Sequence, residues 1–123
     1  MRVGLIQALG RMNEYASQTE ICQRFGSLVV PADEGECLGV ALSTLSQVPL
    51  NAMRHSNEKG MSGWFIWGGE LSQSRDFFQP LHVHHLVEHA PALIPYLALA
   101  PGWRVLLAPG YEDVWYDPSL LAV

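Results

Sequence analysis

Ser62-Gly63-Trp64-Phe65-Ile66-Trp67-Gly68-Gly69-Glu70 is the stretch on which the fold turns. An extended run alternates its side chains, so Trp64 and Ile66 take one face and Phe65 and Trp67 the other. Gly63 in front and the Gly68-Gly69 pair behind supply backbone conformations that side chains forbid. The run therefore reads as an aromatic strand closed by a turn. Neither this stretch nor the following Asp76–His85 run, DFFQPLHVHH, pairs a nucleophile with a base, forms a phosphate loop or clusters cysteines. Both read as a recognition surface on a scaffold.

The elements around it follow from pattern and punctuation. Ser17 followed by Glu20 has capping-box spacing, and Tyr15, Ile21, Cys22 and Phe25 can share one face, which predicts a helix over 14–25 stopped by Gly26. Residues 1–11 show no clear register and read as an irregular extension upstream of Met12. Leu28-Val29-Val30 is a strand or extended connector ended by Pro31. From Asp33 to Gln47 apolar residues recur at helical spacing behind three acids, predicting a helix; Gly35 and Gly39 weaken it, and Val-rich pairing leaves a strand as the alternative. Leu50–Arg54 reads as a strand. Pro80 suits a first helical turn, so a helix is expected over 80–89, then a helical piece broken by Pro91 and Pro95. Trp103–Leu107 and Glu112–Tyr116 flank Ala108-Pro109-Gly110-Tyr111 as a hairpin. Helices and strands do not alternate regularly. The expectation is a single domain over 1–123 of α+β class, a small antiparallel sheet packed with two to four helices.

Composition bounds what such a domain does. At 123 residues, 49% hydrophobic and with four tryptophans, the chain has material for one core. A formal net charge of −5 disfavours nucleic acid, which calls for a basic patch, and suits a partner with a basic surface. No segment approaches the roughly 20 apolar residues of a membrane span, and the N-terminus lacks a signal-peptide core, so a cytoplasmic location is expected. Cys22 and Cys37 cannot make a four-ligand zinc site alone and read as reduced thiols, with a disulfide left open.

Catalytic readings are thin. On a helix over 80–89, His82, His85 and His89 would share a face able to meet a metal. The spacing fails the HExxH signature, so a solvated polar face is the expectation, with no metal and no cofactor. Ser62 lacks a nucleophile elbow, and Glu112 and Asp113, adjacent on a strand, point to opposite faces. Glu70, Asp76, Glu112 and Asp113 lie near turns or strand ends and can compose an acidic patch. With Trp67 as an aromatic anchor, they are the candidate partner-binding residues.

Met53-Arg54, the SGWFIWGGE stretch at 62–70, DFFQPLHVHHL, PGWRVL at 101–106 and YEDVWYD at 111–117 together resemble the immunity protein thirty-three-like domain family over roughly residues 17–121. Ser62, Gly63, Trp64, Trp67, Gly69 and Glu70 are the matching motif positions. The resemblance implies an α+β immunity protein of bacterial polymorphic-toxin or contact-dependent competition systems. Such a protein is not an enzyme: it binds a cognate toxin and blocks it. The alternatives are a generic interaction or regulatory module without a toxin partner, and a metal-dependent hydrolase using the histidine-rich helix. Nothing in the sequence specifies the toxin or the oligomeric state.

Overall fold

The computed structural model describes residues 2–121, with side chains from residue 14 onward. One long helix, α1 (Arg2–Phe25), precedes six strands: β1 (Cys37–Val40), β2 (Leu50–Arg54), β3 (Met61–Gly68), β4 (Gln79–His82), β5 (Trp103–Ala108) and β6 (Tyr111–Tyr116). Short 3-10 helices occupy Leu42–Thr44, Val83–Glu88, Pro91–Tyr96 and Pro118–Leu121. The strands form one sheet in the order β4-β1-β3-β2-β5-β6. Among the described residues only β1 and β3 are parallel, so the sheet is mixed and not purely antiparallel, and a single α-helix serves it. The α+β class holds; the helix count was expected to be higher.

The core is assembled one cross-strand row at a time. Val40, Ile66, Ala52, Val105 and Val114 are register partners running from β1 to β6, and all are buried. Onto this row pack Cys22 from α1, Leu86 and Leu93 from the 3-10 helices, and Leu97 and Leu99 from the segment that follows them. Trp64 lies fully buried among them and donates its indole N–H to Leu97 O at 3.0 Å. The helix ends as its sequence indicates. Gly26, at φ +84°, takes the left-handed cap position, and Gly26 N–H and Ser27 N–H both donate to Cys22 O. Its start differs, because α1 reaches back to Arg2 and the backbone of 2–11, read as irregular, is helical. Ser17 and Glu20 therefore sit inside a helix and cap nothing. Tyr15, expected to face inward with Cys22, is exposed.

Two helical expectations are overturned. Over 33–47 the chain instead turns at Glu34-Gly35, forms β1 and closes with a 3-10 turn. The apolar spacing there arises from a strand buried on both faces, whose pattern no longer alternates. Gly39 is the deciding residue: a Cβ at that position would lie 2.7 Å from the Phe65 ring, so only a bare backbone lets the ring lie across β1. Over 80–89 the expected helix is a strand followed by a six-residue 3-10 helix. Pro80 lies in an edge strand opposite Gly39, where its missing N–H costs nothing. His82, His85 and His89 therefore share no α-helical face.

The second face of the sheet is also covered, in part. The segment after β3 folds back so that Phe78 meets Phe65 (centroids 5.1 Å apart) and Trp67 (6.1 Å), with Phe77 edge-on behind at 4.9 Å. This second apolar layer buries Trp67, leaving 4% of it exposed. Both tryptophans of the aromatic strand are thus interior, each in a different layer.

Candidate partner-binding surface

The carboxyl ends of β1, β3 and β5 and the starts of β2, β4 and β6 lie at one end of the sheet, as the register shows. Gly68 pairs with Leu50, Leu50 with Leu107, and Leu107 with Glu112. The connections and strand ends there carry Leu42, Val48, Leu71 and Tyr111, all large apolar residues left exposed, Val48 to 66% and Tyr111 to 56%. Three exposed acids stand among them: Glu70 two residues beyond β3, Asp76 three residues before β4, and Asp113 on β6. Six strands at about 4.8 Å spacing make this rim roughly 24 Å wide, the dimension of one side of an ordinary protein interface.

The rim is held by its own hydrogen bonds. Asn51 Nδ2 donates to Pro49 O (3.2 Å) and Gly69 O (3.3 Å), tying the exit of β3 to the entry of β2. Gln79 bridges three points, its Nε2 donating to Asp76 O (2.7 Å) and Phe77 O (3.1 Å) and its Oε1 accepting from Leu42 N–H (3.3 Å). At the other end of β3, Gly63 (φ +93°) passes so close to the His55 carbonyl that a Cβ would sit 2.1 Å from it. The glycines of the aromatic stretch thus fix where the strand begins and leaves.

Two of the five sequence-selected residues serve the fold instead. Trp67 is interior. Glu112 accepts hydrogen bonds from Arg24 of α1 and from the Tyr96 hydroxyl, so its charge is compensated. Among the described residues Glu70, Asp76 and Asp113 enter no ion pair. Burial, and then Glu112, push the Tyr96 hydroxyl up to about 12. A raised folded-state value means that its stabilisation is complete below the unfolded value of 10.0 and is lost as pH climbs through 12. Arg54, lowered by burial to about 10 from 12.5, acts in the opposite sense over the same window, since the unfolded state then holds the extra proton. Tyr96→Phe should therefore gain stability relative to the parent between about pH 10 and 12, as read from urea melts at each pH. Equal pH slopes for the two proteins would refute the Tyr96–Glu112 coupling.

The histidines gather differently from expectation, at the opposite end of the sheet. His84 lies 4.1 Å from His85 and 5.6 Å from His82, centroid to centroid, all three exposed, and His84 Nδ1 bonds Glu34 O. Among the described residues no trio of His, Cys, Asp or Glu is disposed to hold a metal ion. Ser62 is fully buried, its Oγ accepting from Trp64 N–H at 3.3 Å. Cys22 is buried and its thiol pushed up by burial; both cysteines are free. Among the described residues no helix is long and apolar enough to cross a membrane.

Sequence reasoning missed Arg54. Fully buried, it donates through Nε to Ser62 O (3.0 Å) and through Nη1 to Leu99 O (2.8 Å), Leu97 O (3.3 Å) and Val30 O. Its guanidinium lies 5.6 Å from the Trp64 ring centroid. The place of Met53-Arg54 ahead of the polar turn and the SGW motif was its one signal in the sequence.

A search of curated proteins and one of solved structures returned no match. A family model, that of the Imm33-like domain, matches residues 17–117, from within α1 to the first residue after β6. That span takes in every strand, the Arg54 cradle, the aromatic stretch and the rim, and the chain belongs to the Imm33-like domain family.

Proposed function

We propose that the chain is a non-enzymatic immunity protein that acts in the cytoplasm, binding a cognate bacterial toxin and neutralising it through the rim. Membership in the family supports an immunity role. The observation that carries the surface is the concentration of Leu42, Val48, Leu71 and Tyr111 with Glu70, Asp76 and Asp113 on the connections and strand starts at one end of the sheet. Apolar anchors ringed by charge are how a standard-sized interface combines affinity with orientation. The uncompensated acids and the net charge of −5 select a toxin with a basic face, as found where a toxin's own substrate is anionic.

Electrostatic steering makes the reading measurable. Against a toxin that the chain neutralises, Glu70→Lys combined with Asp76→Lys should slow association about tenfold at low salt and weaken protection of toxin-expressing cells. Both side chains are exposed, so the melting temperature should not move. Added salt should slow the parent more than the variant. Inhibition insensitive to both salt and charge reversal would sink the acidic-rim mechanism, and protection without any complex would sink sequestration itself.

A further inference from the structure

The two edge strands of the sheet are defended unequally. β4 is four residues long and contains Pro80. β6 is six residues long, has neither Pro nor Gly, and keeps unbroken register with β5 from Trp103↔Tyr116 to Ala108↔Tyr111. Its hydrogen-bond phase follows from two observations. The Pro109-Gly110 turn is closed by the Ala108↔Tyr111 pair, and Asp117 N–H donates to Gly102 O at 2.7 Å. Tyr111, Asp113 and Trp115 therefore bond inward to β5, while Glu112, Val114 and Tyr116 turn their N–H and C=O groups outward. Tyr116 is also 49% exposed. An edge of this length without Lys, Pro or bulge is a template for another strand.

We propose that β6 pairs antiparallel with β6 of a second copy of this chain, about a two-fold axis at Val114, making one continuous sheet across a dimer. Outward groups must meet outward groups, which restricts the symmetric registers, and charge then selects among them. An axis at Glu112 sets that acid against itself. An axis at Asp113 does the same to Asp113, and an axis at Trp115 sets Asp113 against Asp117. An axis at Val114 opposes no like charges: Glu112 meets Tyr116 of the second copy and Asp113 meets Trp115. Arg104 lies 5.4 Å from the Trp115 centroid, so carboxylate, ring and guanidinium fall in one cross-sheet row. The seam leaves Glu70 and Asp76 open on both copies.

Sedimentation equilibrium across the micromolar range should show the mass rising from 13.6 kDa toward twice that value. Because each copy carries −5, added salt should strengthen this dimer, the opposite of its effect on a basic partner. Amide exchange at Glu112, Val114 and Tyr116 should slow about tenfold or more as concentration rises, while Tyr111, Asp113 and Trp115 stay protected at every concentration. Tyr116→Pro removes an outward N–H that the monomer does not use, and should give a folded monomer. If that variant misfolds, the exchange pattern of the parent still decides the matter. A protein monomeric at every concentration overturns the proposal. So does a dimer whose outward amides exchange freely, or protection of those amides that appears only on adding a toxin.

Discussion

Arg54→Ala is expected to remove about 3–5 kcal/mol of stability, enough to unfold a domain whose whole margin is on the order of 5–15 kcal/mol. The guanidinium ties together backbone from three separate regions: Val30 after α1, Ser62 on β3, and Leu97 and Leu99 before β5. Alanine withdraws the Arg54 donors from those carbonyls, leaves Leu97 O to the Trp64 indole N–H alone, and opens a cavity beside Trp64. Lysine is no remedy, because a single ammonium cannot reproduce the planar fork that reaches several carbonyls at once. Arg54→Met separates the contributions, since it fills space but donates nothing. If Arg54→Ala costs less than about 1 kcal/mol in urea melts, the cradle is decoration and water serves the carbonyls equally well.

Trp64→Ala should cost a similar amount, about 3–5 kcal/mol, and Trp67→Ala should fall toward the lower end of that range. Trp64 is completely enclosed and its indole N–H satisfies Leu97 O, the same carbonyl that Arg54 reaches. Losing the ring therefore also disturbs the cradle, and the two substitutions should not be additive. Trp67 packs in the thinner aromatic layer, where half-buried Phe78 can settle into the vacated space. A Trp67→Ala protein less stable than Trp64→Ala would reverse this ranking of the two layers.

The comparison of sequence with structure has a physical pattern. The aromatic strand, Leu50–Arg54 and the 103–116 hairpin were legible because alternation and turn chemistry are local signals. The segments 33–47 and 80–89 were not, because both become strands through what lies across the sheet. Gly39 is a strand residue on account of the Phe65 ring, and Pro80 is tolerated because β4 is an edge. The rim was half legible. The acids could be read from turns, but the gathering of Leu42, Val48, Leu71 and Tyr111 depends on strand order, which no local pattern encodes. Glu112 was assigned to the surface because its partners Arg24 and Tyr96 come from distant elements. The shared face expected of His82, His85 and His89 went with the helix that was to carry it.

The segment between β3 and β4 divides its labour along its own length. Glu70 to Asp76 is exposed throughout, whereas Phe78 packs on the strand aromatics Phe65 and Trp67 with Phe77 edge-on behind it. Substitutions in the first part alter what the rim presents at a cost of a few tenths of a kcal/mol, while the phenylalanines keep the loop seated. On the proposed function, a lineage can therefore exchange the exposed half as its toxin changes and retain the anchoring half unchanged. Divergence of specificity need not pass through an unstable intermediate.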